Sequence, residues 1–104
     1  MADSRFNMQS EGHWSLSGTL DFATVPGLLP YVAALAQGRG TAELDLGDVT
    51  RADSAGLALL IECKRIAARA GRELRLVNLP VQLDSIARVS GLAQILDLSE
   101  KGSA

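Results

Sequence analysis

The stretch Asp53-Ser54-Ala55-Gly56-Leu57 stands between two runs of different period. Before it, Ala42, Leu44 and Leu46 alternate with Glu43 and Asp45, the period-two signature of a strand, and Gly47-Asp48-Val49-Thr50 reads as a turn. After it, residues 55–70 carry apolar side chains at helical spacing, and Gly71 is the stop. Strand, loop and helix in that order put Ser54 at a helix N-terminus. There the first backbone N–H groups lack intrahelical acceptors and the aligned peptide dipoles leave partial positive charge. Such an end holds a capping hydroxyl, and equally an added phosphate. Ser54 therefore has two readings: an N-cap worth about 1 kcal/mol, or the centre of a docking or switching surface.

Outward from this stretch the same two periods recur. Phe6 and Met8 alternate with Asn7 and Gln9, Ser10-Glu11-Gly12 reads as a hairpin turn, and Trp14 and Leu16 alternate with His13, Ser15 and Ser17. Gly18-Thr19-Leu20-Asp21 follows as a connection. From Thr24 the pattern is helical, with Leu28, Leu29, Val32, Leu35 and Ala36 on one side. Pro26 suits a first turn but Pro30 does not suit an interior, so that helix either starts near Leu29 or is kinked; Gly38 and Gly40 end it. Leu74, Leu76 and Val77 mark a fourth strand. Pro80 opens a last helix with Leu83, Ile86 and Ala87 inward and Gly91 as its stop. Leu92, Ile95 and Leu96 allow a short closing strand, and residues 99–104 read as a frayed tail.

The order β-β-α-β-α-β-α-β predicts an α/β fold: a mixed four- to five-stranded sheet with helices packed against it. A length of 104 residues predicts one domain over 1–104, with its core at about 5–98. Within the 55–70 helix, Leu57-Ala58-Leu59-Leu60-Ile61 is apolar round most of its circumference. Either that segment is a deeply inserted core helix, or part of it is an exposed patch that faces a partner.

Composition removes whole classes of function. A net charge of −2 gives nucleic acid no general attraction. The local basic group Lys64, Arg65, Arg69, Arg72 and Arg75 reads as the solvated face and last turn of a helix. Cys63 is the one cysteine, placed mid-helix among Leu60, Ile61, Ile66 and Ala67, and reads as a buried structural thiol. No Gly-x-x-x-x-Gly-Lys-Ser/Thr is present, and Gly38-Arg39-Gly40 is a helix stop rather than a phosphate cradle. A Cys/His metal cluster is missing, so neither metal nor cofactor is expected. A serine triad has only Ser54 and His13 to draw on, without Gly-x-Ser-x-Gly. Asp21, Asp45, Asp48 and Asp53 suit turns and caps better than acid–base work. The expectation is a protein that is not an enzyme. Met1-Ala2-Asp3-Ser4-Arg5 has no apolar signal region, and no apolar run reaches the roughly 18 residues of a spanning helix. A cytoplasmic protein, brought to a membrane only by a partner, is expected.

Taken together, Gly18-Thr19-Leu20-Asp21, Asp53-Ser54-Ala55-Gly56-Leu57 before a helix, Val89-Ser90-Gly91-Leu92 and the element order resemble the STAS domain, the family that joins sulphate transporters with anti-sigma factor antagonists. The resemblance implies one of two roles. In the first, the chain is the small cytoplasmic subunit of an Mla-type phospholipid ABC transporter; it binds the ATPase and supports phospholipid movement between inner and outer membranes, maintaining outer-membrane lipid asymmetry. In the second, it is an anti-sigma factor antagonist, phosphorylated at Ser54 by a partner kinase that is also the anti-sigma factor. The segment from Leu16 to Pro26 and the run Asp53 to Leu60 look more like the transporter subunits. The antagonists tend to have a second serine where this chain has Ala55. A third member type, the cytosolic tail of an anion permease, is disfavoured because no membrane spans precede the domain. By the same resemblance, the partner-binding residues are Asp53, Ser54, Ala55, Gly56, Leu57, Ala58 and Ile61.

Overall fold

Gly12, at φ +80°, turns the chain between β1 (Arg5–Ser10) and β2 (His13–Leu20), which pair antiparallel. The fold is a computed structural model that describes residues 4–96. After β2 come α1 (Val25–Val32), β3 (Ala42–Ala52), α2 (Ser54–Arg69), β4 (Leu74–Val77) and α3 (Val81–Val89). β3 pairs parallel with β2 on one side and with β4 on the other, giving a mixed four-stranded sheet in the order β1-β2-β3-β4. Parallel neighbours need a crossover, and α1 and α2 supply the two. Because both crossovers step the same way along the sheet and such units are right-handed, their helices share one face. α2 lies between α1 and α3 and packs on both.

The core is the space between that helical layer and the sheet. Trp14, Leu16 and Leu20 of β2, Leu44 and Leu46 of β3, and Leu57, Leu59, Leu60 and Cys63 of α2 are all buried in it. The alternate positions of the strands form the other, polar face: Gln9 donates to Ser15 at 2.7 Å, and His13 lies 3.3 Å from Glu43.

Several expectations need correction. Gly47-Asp48-Val49-Thr50 is not a turn: β3 runs on to Ala52 through a bulge. Ser15 pairs with Asp45 but Ser17 with Asp48, so β3 carries one extra residue there. The Asp45 carboxylate fastens the bulge, accepting from the Gly47 N–H at 2.8 Å and the Asn78 amide at 3.0 Å, and these bonds hold its pKa below the ordinary value. A second slip, between Gly18 and Thr19, lets Gly18-Thr19-Leu20 finish β2 rather than form a connection. α1 does not wait for Leu29. It starts at Val25 with Pro26 in the first turn, contains Pro30, and tightens into a 3-10 turn at Ala33–Ala36. The closing strand is not formed among the described residues: 93–96 are turns, with Leu96 buried. The tail at 99–104 lies outside the described residues.

The helix stops work as the glycines predict. After α2, Gly71 sits at φ +76°, its N–H donates to Ala68 O at 2.9 Å, and the Arg72 N–H reaches Ala67 O at 2.9 Å. These are the paired bonds of a Schellman motif, and Gly91 with Leu92 repeats them after α3.

The basic group is the largest departure. Arg65, Arg69 and Arg75 are exposed, but Lys64 donates to Leu74 O at 2.7 Å and Arg72 is only 6% exposed. The Arg72 guanidinium donates to the carbonyls of Leu35 at 3.4 Å, Arg39 at 3.2 Å, Gly40 at 3.1 Å and Gln37, and lies 5.5 Å from the centre of the Trp14 ring. It clamps the whole segment between α1 and β3 from inside.

Candidate functional site

Three loops meet at the carboxyl ends of the parallel strands, the end of an open α/β sheet where ligands and partners are usually met. The loop after β3 is a single residue, Asp53, in extended conformation. Its N–H donates to Leu20 O, the last residue of β2, at 3.1 Å. Its side chain accepts from the Ala55 N–H at 2.8 Å, and its carbonyl accepts from Gly56 at 3.0 Å. Asp53 is therefore the N-cap of α2, and the expectation that Ser54 takes that role is corrected. Aspartate and serine cap equally well, so adjacency alone left the choice to the backbone. Freed from capping, Ser54 is the first residue of the helix and is exposed.

Gly56 determines how closely this helix end approaches the sheet. A Cβ there would fall 2.9 Å from Leu20 Cβ, 3.1 Å from Leu20 O and 3.3 Å from Ala52 Cβ. The absent side chain lets the first turn of α2 sit directly on the ends of β2 and β3. On the other side, the Gln82 side chain of α3 accepts from the Ala52 N–H at 3.0 Å, tying the loop after β4 to the same point.

The residues assigned to partner binding divide by burial. Ser54 and Ala58 are exposed, Asp53 and Ile61 are half-buried, and Ala55, Gly56 and Leu57 are buried within the chain. An exposed patch built from Leu57-Ala58-Leu59-Leu60-Ile61 is not what forms, because Leu57, Leu59 and Leu60 all turn into the core. Only Ala58 and the edge of Ile61 remain outside. Sequence reasoning missed two larger apolar side chains at this end, Phe22 at 74% exposure and Val81 at 80%. The signal for Phe22 was an aromatic inside the turn at residues 21–24. Here Asp21 Oδ1 accepts from the N–H groups of Ala23 at 2.9 Å and Thr24 at 3.0 Å, and Thr24 Oγ1 donates to Thr19 O at 2.7 Å. That turn is held without help from the ring.

The geometry also rules on nucleophilic chemistry. His13 opens β2, whereas Ser54 sits beyond its other end, so roughly 23 Å of strand separates them and no Ser–His pair can form. Cys63 is fully buried, and burial pushes its thiol up to about 12. In the native protein it should resist a thiol-specific reagent such as DTNB at pH 8 and titrate fully once urea unfolds the chain. Prompt native labelling would overturn this. Among the described residues no His, Cys, Asp or Glu cluster is suited to a metal ion, and no helix is long and apolar enough to cross a membrane.

With this geometry in place, comparison with known proteins identifies the family. A model of the family described as "Mlab, STAS domain" matches residues 5–98. The chain belongs to the STAS-domain family. A Bacillus subtilis (strain 168) protein, the anti-sigma-B factor antagonist, is 29% identical over 87 residues, covering 84% of this STAS chain and 80% of its own length. The structure of the anti-sigma factor antagonist SpoIIAA in its unphosphorylated form matches with a TM-score of 0.63 at 18% identity, over 83% of this chain and 82% of that one. The murine Slc26a9 anion transporter, in its inward-facing state, matches with a TM-score of 0.62 at 22% identity, over 80% of this chain and 14% of that one. At those identities the two structures bear on the fold alone, and that fold is the STAS α/β fold.

Proposed function

We propose that this chain is a non-catalytic STAS subunit that binds the ATPase of an ABC transporter moving phospholipid between inner and outer membranes. On this reading it is cytoplasmic, uses no cofactor and reaches the membrane only through that ATPase. The observation that carries the reading is Ser54: an exposed hydroxyl, relieved of capping by Asp53, fixed where three loops converge. The match to the family described as "Mlab, STAS domain" supports the choice of partner. A second reading, an anti-sigma factor antagonist switched by phosphorylation at Ser54, is favoured by the Bacillus relative of that name. Both readings use the same surface and differ in what docks there.

A substitution series at Ser54 tests the surface. Because Asp53 caps the helix, Ser54→Ala should leave stability within about 0.5 kcal/mol of wild type, whereas Asp53→Ala should lose about 1 kcal/mol. Ser54→Asp should melt like wild type yet weaken binding, since a carboxylate there must be desolvated when the partner seats. Thermal melts and binding isotherms against the cognate transporter ATPase, and separately against an anti-sigma kinase, give both numbers. Unchanged affinity of Ser54→Asp for whichever protein binds would remove Ser54 from the interface.

A further inference from the structure

We propose that Phe22 and Val81 are the two apolar anchors by which the Ser54 surface grips its protein partner; the proposal rests on the reading of Ser54 as the centre of that surface. The sheet order decides their placement. β3 lies between β2 and β4, so Ser54 at the start of α2 lies between the loop after β2, with Phe22, and the loop after β4, which leads to Val81 at the start of α3. Two bonds tie the three loops together: Asp53 N–H to Leu20 O at 3.1 Å, two residues before Phe22, and Ala52 N–H to Gln82 Oε1 at 3.0 Å, one residue after Val81. β4 pairs with β3 only as far as Asp45, so it is the Gln82 bond that brings the start of α3 up to the end of β3, and the two bonds together set Phe22 and Val81 on either side of Ser54 for one partner to cover all three.

Neither side chain has structural work where it stands. The turn at residues 21–24 is held by Asp21 and Thr24, and Val81 is the first residue of α3, where a polar residue would serve as well. Exposed at 74% and 80%, both keep their apolar surface in water. An aromatic ring on a rigid turn is the kind of side chain that dominates a binding interface, because it loses little freedom on seating. The charges at this end select the occupant. Asp21 and Asp53 lie in the loops beside Ser54 and outnumber the one exposed cation of this strand end, Arg51, so an anionic lipid surface gains no net attraction. A second copy docked through the same face would bring these carboxylates against their counterparts. The partner that fits is a different protein, with two apolar pockets on either side of a neutral polar seat for the Ser54 hydroxyl. Seating the anchors then forces the desolvation of whatever Ser54 carries, which is how one added charge can cancel the affinity they supply.

The test is a titration of the purified cognate transporter ATPase, and in parallel of an anti-sigma kinase, with wild type, Phe22→Ser, Val81→Ser, Ser54→Asp and Val89→Ser. Val89 is the control: it is 89% exposed but lies at the far end of α3. Phe22→Ser and Val81→Ser should each weaken binding tenfold or more with an unchanged melting temperature, and Val89→Ser should do neither. If wild type binds and Ser54→Asp weakens it while both anchor variants bind normally, the anchors are refuted and the Ser54 surface survives. Should wild type bind neither protein, the reading of Ser54 fails and takes this proposal with it. Dimerisation abolished by Phe22→Ser, or sedimentation of wild type with phosphatidylglycerol vesicles that the anchor variants lose, would overturn it in favour of a second copy or a membrane.

Discussion

Arg72→Ala should cost at least about 3 kcal/mol of stability, a large part of what a domain of this size possesses. The guanidinium serves the carbonyls of Leu35, Gln37, Arg39 and Gly40 at once and covers the face of Trp14. Truncation strips one buried acceptor, the Leu35 carbonyl, and three part-buried ones of a charged donor, and each such bond is worth more than a neutral one. Arg72→Lys is the more telling variant. It keeps the charge, but a single ammonium cannot span a fork of acceptors, so most of the loss should persist. Urea unfolding followed by the fluorescence of Trp14, the one tryptophan, reads the effect directly. A loss below about 1 kcal/mol for Arg72→Ala would show that water replaces the clamp at little cost.

Gly56→Ala should also destabilise, against the ordinary trend. Inside a helix, replacing glycine by alanine gains about 1 kcal/mol. Here the new Cβ would sit 2.9 Å from Leu20 Cβ and 3.1 Å from a backbone oxygen, and neither atom can swing aside as the end of a flexible side chain can. Overpacking of this kind costs about 1–3 kcal/mol, so a net loss of about 1 kcal/mol is expected for alanine, and Gly56→Val should lose more. Both variants lift the start of α2 from the sheet and carry Ser54 with it, so partner affinity should fall further than the stability change alone accounts for. Urea titration and a binding isotherm on Gly56→Ala check the two parts; a variant more stable than wild type would show that the sheet end yields.

Most of the architecture was legible because it rests on local chemistry. The alternation around Trp14 and Leu44, the helical spacing after Ser54, and the stops at Gly71 and Gly91 each report a backbone preference that the folded chain satisfies. What was misread depends on contacts distant in sequence. The bulge that carries β3 through Gly47 is fastened by Asn78, thirty-three positions from Asp45. Arg72 looks like one more surface cation until the loop it clamps is folded over it. The run from Leu57 to Ile61 is broad enough to suggest an exposed patch, yet α2 lies between α1 and α3 and so buries more than one stripe. At the candidate site the strand–loop–helix placement of Asp53 and Ser54 was readable and the division of labour was not. Asp53 and Ser54 are both good caps, and only the backbone geometry of the crossover separates the structural residue from the free one.

The bonds that lash Asp53 to Leu20 and Ala52 to Gln82 have a consequence for any signal written on Ser54. They fasten the three loops to one another at the strand end that carries Ser54. On the proposed reading, a charge added there would act first as chemistry on that fastened surface, as ink on a stamp is read, before any change of shape. For the proposed partner, a surface fastened in this way would lower the ordering cost of contact, which favours fast capture of the unmodified chain.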